Sequence, residues 1–341
     1  MSELTVLVTA SGSPGTAALV RALRENGERR VRVVGADMSE LVVGRHLCDA
    51  FHVVPPGDAP DFADAVANVC EREGVDAVVP QSSYDLPGLA AARERFPCAV
   101  LVASPEAVRR SNDKAETYAL LDAIGAPGPA WRRASGSAAV EAAARELGYP
   151  GGDVAVKPIE SSGSRGFRIL SAAADPLQQL LTNRPGVAPA MQLEALLALL
   201  PEDGPELLVM ELARGKERTI DGVARGGRIV LGHPKTREAM RAGLAMYFET
   251  LDDQALMDVA TSIVRELELD HFFNIQLVGD TVIEINPRIS TVVYQEDLNL
   301  PYLGLKLALG ELDESELAAE AAKIRQTRRA LRYFDQVEWD E

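Results

Sequence analysis

The chain is poor in several residue types, and each shortage excludes a class of protein. Its 341 residues include only three cysteines, whose wide spacing fits neither a disulfide framework nor a zinc site: Cys48, Cys70 and Cys98. No stretch approaches the roughly 18 uninterrupted apolar residues of a membrane span. The first residues enter a predicted strand without the basic and apolar regions of a signal peptide. We therefore expect reduced cysteines, no membrane contact and a cytoplasmic location.

Positive charge is also scarce. The 51 acidic residues outnumber the 35 basic ones and give a net charge of −16. Because a nucleic-acid backbone requires a basic face, this balance argues against nucleic acid as a partner. Few basic residues are lysines: Lys114, Lys157, Lys216, Lys235, Lys306 and Lys323. In a chain that favours arginine, lysines inside motifs indicate a need for a compact point charge.

The first hundred residues alternate short apolar strands with helical patterns, such as the helix predicted over 62–73. This alternation predicts a mostly parallel sheet covered on both faces. The turn after the first strand invites a dinucleotide-binding interpretation, with Asp37 where a ribose ligand would lie. Gly12 and Gly15, however, do not complete the Gly-x-Gly-x-x-Gly pattern. A Rossmann-like scaffold without a dinucleotide of its own is favoured.

A new region is predicted to begin near residue 108. Asn112 or Asp113 can cap a helix that runs to about Ala123. Lys114 then lies in the first turn, where the helix dipole disfavours positive charge. This position favours a lysine that faces an anion, although a solvent-exposed lysine is an equal alternative.

A serine- and glycine-rich loop follows the strand that ends in Val156-Lys157-Pro158. Such a loop, over 161–166, can fold its backbone N–H groups over phosphates. Lys157 could reach the same phosphates. The loop is not a P-loop, because no Gly-Lys-Ser/Thr opens a helix after it. A plain hairpin loop is the alternative.

An apolar strand over 207–212 offers a surface for a flat adenine. The backbone from Glu211 to Ala213 would hydrogen-bond the base, and Glu217 would be placed for ribose hydroxyls. Beyond a short predicted strand at 228–230 lies a basic cluster that is unusual in an acidic chain: His233, Lys235, Arg237 and Arg241. Our hypothesis is that Arg237 and Arg241 bind a carboxylate substrate.

The most informative stretch, 273–288, is typical of an apolar β-hairpin. Residues two apart in a strand share a face, so Glu284 and Asn286 project together. Two oxygen-bearing side chains beside Arg288 suit a hard cation that bridges phosphates. A solvent-facing polar edge is the alternative.

Gln276 joins this face only if the hairpin contains an odd number of unpaired residues. A two-residue turn at Gly279-Asp280 without a bulge would place it opposite Ile283, on the wrong face. We expect a three-residue loop, Gly279-Asp280-Thr281, that makes Gln276 face Glu284.

Taken in order, these motifs resemble the ATP-grasp superfamily, and within it the carboxylate–amine ligases similar to halves of the carbamoyl-phosphate synthase large subunit. The resemblance covers residues 5 to about 310. It implies an α/β fold in which a Rossmann-like pre-ATP-grasp domain precedes a two-lobed α+β ATP-grasp domain. The implied regions are 1–108, a first lobe over about 125–207 and a metal-binding lobe over about 208–310 within 109–310, and a helical tail over 311–341.

The resemblance also implies a role for each matching residue. ATP would be bound by Lys114, Lys157, Ser161, Ser162, Gly163, Ser164, Gly166, Glu211, Leu212, Ala213 and Glu217. The Mg²⁺ ligands would be Gln276, Glu284 and Asn286. Arg288 would hold the transferred phosphoryl group or the substrate carboxylate. Lys235 and Arg237 are further catalytic candidates, but the segment 233–237 departs from the arginine-rich segment of the family, so which basic residue of 233–241 contacts substrate stays open.

The implied reaction is an ATP- and Mg²⁺-dependent ligation, in which Mn²⁺ could substitute. A small carboxylate would become an acyl phosphate and an amine would capture it, giving an amide, ADP and phosphate. We expect no ammonia-producing domain, so free ammonia or a specific amine would be the acceptor. The alternatives are an ATP-grasp kinase or carboxylate-activating enzyme whose product is not an amide, and a regulatory module without chemistry. The expected partners are small molecules, and a homodimer is compatible with this class.

Overall fold

The structure, a computed structural model, describes residues 3–159, 166–182, 189–241, 244–290, 295 and 297–340. Within these residues the chain forms three sheets of four or five strands and one two-stranded sheet. Each larger sheet organises one region: an N-terminal domain, a small lobe and a large lobe. The three cysteines are free thiols.

The N-terminal domain is a parallel sheet with the strand order β3-β2-β1-β4-β5. Its strands read as continuous apolar runs such as Val6-Leu7-Val8, all fully buried, as expected for a sheet covered on both faces. The predicted helix over 62–73 is confirmed, and Gly74 ends it with a φ of 62°. The elements are β1 (Leu4–Val8), α1 (Thr16–Arg24), β2 (Val31–Asp37), α2 (Gly44–Leu47), β3 (Ala50–Val53), α3 (Phe62–Glu73), β4 (Ala77–Val79), α4 (Leu86–Ala92), a 3₁₀ turn (Arg93–Arg95) and β5 (Ala99–Val100).

Two consecutive helices, α5 (Pro105–Asn112) and α6 (Lys114–Ile124), connect this domain to the rest of the chain. The Asp113 carboxylate accepts the N–H groups of Ala115 at 2.8 Å and Glu116 at 3.0 Å, so it caps α6. Gly125 ends α6 with a φ of 66°. The domain boundary predicted near residue 108 falls within α5.

The small lobe is a second sheet with the order β6-β10-β7-β8-β9. All of its neighbouring strands are antiparallel except β8 and β9. Val140, Leu193 and Val209 belong to its own hydrophobic core. The elements are β6 (Trp131–Ser135), α7 (Gly136–Glu146), β7 (Val154–Pro158), β8 (Arg168–Leu170), α8 (Pro176–Thr182), β9 (Ala190–Met191), α9 (Leu193–Leu197) and β10 (Glu206–Glu211).

The large lobe is an antiparallel sheet with the order β12-β11-β14-β15. Ile220, Ile275 and Ile285 lie in the main core together with Ile263 of α10. β12 runs seven residues beyond the strand predicted at 228–230, so the basic residues up to Arg237 lie on a strand. The elements are β11 (Glu217–Arg225), β12 (Arg228–Arg237), β13 (Tyr247–Glu249), α10 (Gln254–Glu266), β14 (His271–Val278) and β15 (Thr281–Asn286).

The C-terminal segment packs against the N-terminal domain and pairs with a strand of the large lobe. α11 (Leu300–Ala308) lies against α1, where the Asn299 amide donates to the Ala22 carbonyl at 2.6 Å. α12 (Glu314–Ala321) follows, and β16 (Arg329–Leu331) pairs with β13. Among the described residues of the predicted helical tail over 311–341, α12 is helical, whereas the backbone of 329–331 pairs in a sheet.

Candidate active site

The hairpin of β14 and β15 has a two-residue turn followed by a bulge. Val278 pairs with Thr281, and the register shifts before Gln276 pairs with Glu284. Ile283 is therefore the extra residue of the bulge. The predicted three-residue loop is wrong, whereas the predicted facing of Gln276 and Glu284 is confirmed.

Local contacts explain this geometry. Gly279 has a φ of 56°, and a Cβ there would lie 2.5 Å from the Arg214 carbonyl oxygen, so the tight turn requires glycine. In the bulge, the Ile283 carbonyl oxygen accepts a hydrogen bond from the Tyr118 hydroxyl at 3.0 Å. The bulge therefore joins the hairpin to α6.

Polar side chains form two rows across one face of the large-lobe sheet. Directly opposed residues in an antiparallel sheet share a face. The register places the first row as Lys235, Thr219, Gln276 and Glu284, and the second as His233, Asp221, Asn274 and Asn286. The intervening residues of β11, β14 and β15 point to the core. We call this surface the polar face.

Asn274 organises the end of the polar face nearest β15. Its Oδ1 accepts from Gln276 Nε2 at 2.9 Å and Asn286 Nδ2 at 3.4 Å. Its own Nδ2 donates to Thr219 Oγ1 at 2.6 Å and Asp221 Oδ1 at 2.7 Å. Because both partner amides donate to Asn274 through their nitrogens, their oxygens can accept from other groups, and Asn286 Oδ1 accepts from Arg288.

These donors fit a magnesium ion that is shared with phosphates. Mg²⁺ takes oxygen ligands and is commonly held by one or two carboxylates plus substrate phosphates. Glu284 supplies a carboxylate, and Gln276 and Asn286 supply carboxamide oxygens. In the described part of the chain, no group of three or more His, Cys, Asp or Glu residues could hold a metal ion.

At the other end of the polar face lies a buried ion pair. Lys235 Nζ is 3.4 Å from Asp221 Oδ2, and their side chains are 2% and 1% exposed. The ammonium also lies 5.2 Å from the centre of the Phe248 ring. Burial and then the Lys235 charge lower the pKa of His233 to about 4, so this imidazole is neutral at pH 7.

The small lobe contributes Lys157 at the end of β7. Its ammonium is buried and donates to the Tyr118 hydroxyl at 2.9 Å. Burial, with a smaller contribution from the Lys114 charge, lowers the pKa of Lys157 to about 7, while the Glu284 carboxylate opposes this shift. Lys114 is the first residue of α6 and is itself buried. Lys114, Lys157 and the carboxylate of Glu284, a predicted metal ligand, are thus electrostatically coupled.

Arg288 connects the hairpin to the N-terminal domain. Its Nε donates to Ser83 Oγ at 3.1 Å, and one terminal nitrogen donates to Asn286 Oδ1 at 3.3 Å. Burial lowers its pKa, and the nearby carboxylates of Glu284 and Asp85 oppose that shift. The guanidinium is therefore held beside the predicted metal ligands.

The residues predicted to bind the adenine and the ribose lie on separate segments. Glu211 ends β10, and its N–H donates to the Ala130 carbonyl at 2.8 Å, so adenine contacts would fall on Leu212 and Ala213 in the connection to β11. Glu217 begins β11 and forms an ion pair with Arg237 at 3.4 Å.

Two further predictions concern the phosphate loop and Arg241. Of the phosphate loop, only Gly166 is among the described residues; Ser161, Ser162, Gly163 and Ser164 lie outside them. Arg241 is exposed, with its guanidinium 4.7 Å from the centre of the Phe334 ring.

Sequence reasoning missed four residues of this site, three on the polar face and one on α6. Asp221, Thr219 and Asn274 join the network on the polar face, and Tyr118 binds Lys157. The first three were readable from alternation, since Thr219-Ile220-Asp221 and Asn274-Ile275-Gln276 repeat the pattern of Glu284-Ile285-Asn286. Tyr118 carried no such signal.

Comparisons with known proteins agree with this architecture. Residues 203–330 match the family model described as "ATP-grasp in the biosynthetic pathway with Ter operon", and residues 6–102 match "PylC-like, N-terminal domain". The predicted resemblance to the ATP-grasp superfamily and the predicted α/β fold class are thereby confirmed.

Particular relatives follow the same pattern. The arginine-specific carbamoyl phosphate synthase large chain of Bacillus subtilis is 26% identical over 249 residues, 69% of this chain and 22% of the relative. The mitochondrial counterpart of Neurospora crassa is 26% identical over 227 residues, 63% of this chain and 18% of the relative. The chain spans about a fifth of the length of these curated relatives.

Solved structures share the fold. The L-amino acid ligase from Bacillus licheniformis has a TM-score of 0.66 at 17% identity, covering 96% of this chain and 78% of its own. The biotin carboxylase domain of the Hydrogenobacter thermophilus 2-oxoglutarate carboxylase, solved with MgADP, ADP and bicarbonate, has a TM-score of 0.68 at 15% identity, covering 95% and 73%. Among the described helices, none is both long and apolar enough to cross a membrane.

Proposed function

We propose that this protein is an ATP- and Mg²⁺-dependent ligase that activates a small carboxylate and joins it to an amine. The observation that carries the proposal is the β15 end of the polar face, where the Glu284 carboxylate lies in line with the Gln276 and Asn286 carboxamides and Arg288 donates to Asn286 Oδ1. Its relatives support the class: an amino acid ligase shares the fold, and another neighbour was solved with MgADP.

The proposed site residues divide into three groups by the part of Mg²⁺–ATP that they would bind. Lys114 and Lys157 would neutralise the phosphates of ATP. Gln276, Glu284 and Asn286 would hold Mg²⁺, which neutralises charge on the phosphates when it is bound. Mn²⁺, with similar oxygen preferences, would substitute for it. Leu212 and Ala213 would hold adenine, and Glu217 the ribose.

The reaction would proceed in two steps. A substrate carboxylate oxygen attacks the γ-phosphorus of ATP, and the bond to the β-phosphate oxygen breaks, releasing ADP. The amine nitrogen then attacks the carbonyl carbon of the acyl phosphate, phosphate leaves and the nitrogen loses a proton. Phosphoryl transfer of this kind needs positioning and charge neutralisation rather than a protein nucleophile. Arg288 and Lys235 would supply that charge.

The proposal is tested by measuring ADP release with ATP and Mg²⁺ against a panel of small carboxylates, each with and without amines. A ligase releases ADP only when both a carboxylate and an amine are present, or much faster with both. ADP release that depends on a carboxylate but is unaffected by any amine would instead indicate the kinase alternative. No release under any combination would contradict both.

The role of Arg237 has its own test. Arg237→Ala should raise the carboxylate KM by about tenfold or more, because a charge-assisted contact is lost. Because Arg237 forms an ion pair with Glu217, the residue proposed to bind the ribose, the ATP Kd of the variant must also be measured. If the binding of carboxylate and of ATP were weakened equally, Arg237 would act by positioning Glu217 and not by contacting the carboxylate substrate.

A further inference from the structure

Tyr118 lies where α6 meets both lobes, and it is 1% exposed. Its hydroxyl accepts a hydrogen bond from Lys157 Nζ of the small lobe at 2.9 Å. The same hydroxyl donates to the Ile283 carbonyl oxygen of the large lobe at 3.0 Å. The sulfur of Met210, on β10, is 3.7 Å away. One buried oxygen atom therefore joins α6 to both lobes.

The direction of each hydrogen bond follows from the number of protons. A phenol carries one proton and can also accept, whereas a carbonyl oxygen can only accept and is a stronger acceptor than the Met210 thioether. The proton therefore points to Ile283, and a lone pair of the hydroxyl faces the Lys157 amine. Burial, with a smaller contribution from the Glu284 charge, raises the pKa of Tyr118, so the phenol stays protonated and keeps both bonds.

The two partners of this hydroxyl are groups that the proposed reaction must align. Lys157 is proposed to neutralise phosphate charge, and Tyr118 is the one hydrogen-bond partner of its amine among the described residues. Ile283 directly precedes Glu284, a proposed Mg²⁺ ligand. Ile283 is also the extra residue of the bulge that lets Gln276 face Glu284. The hydroxyl thus links a phosphate lysine to the metal-binding hairpin.

α6 also carries Lys114, the other lysine of the proposed phosphate site. Residues four apart on a helix lie on the same face, so Lys114 and Tyr118 project together, and both are buried. The Asp113 cap fixes the first turn of the helix. One helix therefore presents one lysine directly and holds the other through a hydroxyl.

A lysine needs such a partner because its four-carbon side chain is flexible and its amine can adopt many positions. Phosphoryl transfer is sensitive to those positions, since catalysis depends on placing positive charge where negative charge develops. The Tyr118 hydroxyl is neutral. It fixes the amine without adding an anion that would compete with the phosphates for it.

We infer that Tyr118 is a positioning residue for phosphoryl transfer, whose hydroxyl aligns the Lys157 amine with the metal ligands of the β14–β15 hairpin. The inference rests on the proposed function and adds to it a residue that acts through Lys157. It predicts that the hydroxyl matters more for the rate of transfer than for the binding of ATP.

The test removes only the oxygen atom. Tyr118→Phe keeps the ring and its contact with Trp131, whose ring centre is 6.3 Å away. The matched control is Tyr149→Phe in the core of the small lobe, where a buried hydroxyl accepts the Leu193 N–H at 3.3 Å. Urea denaturation checks that both variants fold. Steady-state ADP release, with the carboxylate and amine that best support it, gives kcat, and calorimetry gives the ATP Kd.

We expect Tyr118→Phe to lower kcat by about tenfold or more and to change the ATP Kd by less than about threefold, because a misplaced amine is felt mainly in the transition state. Tyr149→Phe should change kcat by less than about twofold, because its hydroxyl contacts no proposed site residue. Unchanged kcat in Tyr118→Phe, or equal losses in the two variants, would overturn the inference and leave the proposed ligase intact.

A double-mutant cycle shows whether the hydroxyl acts through Lys157. Lys157→Met keeps the length of the side chain and removes the amine. Adding Tyr118→Phe to this variant should lower kcat by less than about twofold further, because residues that act as one unit are not additive. A further loss as large as in the wild-type background would show that the hydroxyl acts without Lys157, against the inference. No ADP release by the wild-type protein under any combination would contradict the proposed ligase and this inference with it.

Discussion

The parallel sheet of the N-terminal domain and the antiparallel sheet of the large lobe use burial in opposite ways. In the parallel sheet, Val6, Leu7 and Val8 are all buried, and neighbouring strands repeat the pattern. In the antiparallel sheet, strands alternate, so Ile220 enters the core while Asp221 lies on the polar face. Both sheets have buried strands, but only the antiparallel sheet carries buried charged and amide side chains on its described strands.

The difference shows where this molecule can place chemistry. A parallel strand covered on both faces leaves polar side chains only at its ends. An alternating strand can present a polar side chain at every second residue, and four aligned strands build a surface. The two regions meet where Arg288, just after β15, donates to Ser83, just after β4. The parallel sheet thus contributes polar groups at the ends of its strands, and the antiparallel sheet contributes them across a face.

The largest expected effect comes from breaking the buried ion pair of the polar face. Lys235→Met leaves the Asp221 carboxylate buried without its counter-charge and should lower the free energy of unfolding by about 3–5 kcal/mol. Adding Asp221→Asn should recover most of that loss. Urea denaturation of the single and double variants measures both.

The matched control for this pair is Arg145→Met on α7. Arg145 and Glu141 form an exposed ion pair with side chains 52% and 41% exposed, so its loss should cost at most about 1 kcal/mol. If Lys235→Met and Arg145→Met lowered the free energy of unfolding equally, the polar face would tolerate an uncompensated charge, and water would have to reach Asp221.

The second effect concerns catalysis. Glu284→Gln keeps the shape of the side chain but removes the only carboxylate of the proposed metal ligands. We expect kcat for ADP release to fall by about 10²–10³-fold, the usual cost of losing one stabilising group at developing charge. Asp280→Asn, at a side chain 96% exposed on the same hairpin, should retain activity. Activity of Glu284→Gln within threefold of wild type would remove Glu284 from the metal site.

The sequence predicted most of this surface because period-two alternation and motif order are local. Glu284 and Asn286 needed only the geometry of one strand, and Asp113 needed only the chemistry of a helix cap. Registers between strands depend on contacts that are distant in the chain. The bulge at Ile283 is fixed by Tyr118, 165 residues away, and no local pattern could separate it from a three-residue loop.

The basic cluster shows the same limit. The sequence predicted a basic cluster, but it did not predict that Arg237 would lie on β12 while Arg241 lies beyond that strand. Whether an arginine lies on a strand or beside the C-terminal segment depends on how far β12 extends and on where Phe334 returns. Those are packing outcomes of distant segments, as is the pairing of β16 with β13.

The third prediction concerns pH and Lys157. Its pKa of about 7 means that it is largely neutral above pH 7, whereas an ordinary lysine stays protonated to about pH 10. ATP phosphates favour the protonated form, so binding takes up a proton in this window. The ATP Kd should therefore rise as pH increases above 7, by up to about tenfold per pH unit. Calorimetry in buffers of different ionisation enthalpy measures the proton uptake.

Lys157→Arg is the control for this effect, because arginine stays protonated throughout the range. Its ATP Kd should vary little between pH 6 and 9. A wild-type Kd that is equally independent of pH would show that Lys157 is protonated before ATP binds. The surroundings of Lys157 in the free protein would then be more polar than its burial implies.

The smallest expected effect separates two arginines that the sequence grouped together. Arg241 is exposed and contacts the Phe334 ring, an interaction worth about 0.5–1 kcal/mol at an exposed site. Arg241→Ala should therefore change kcat/KM for the carboxylate by less than about twofold. Arg237→Ala, at the end of β12 next to the polar face, should lower it by about tenfold or more. Steady-state kinetics of both variants under the same conditions decides the question. Comparable losses would place Arg241 at the substrate during turnover, and the substrate site would then extend from the polar face to the C-terminal segment.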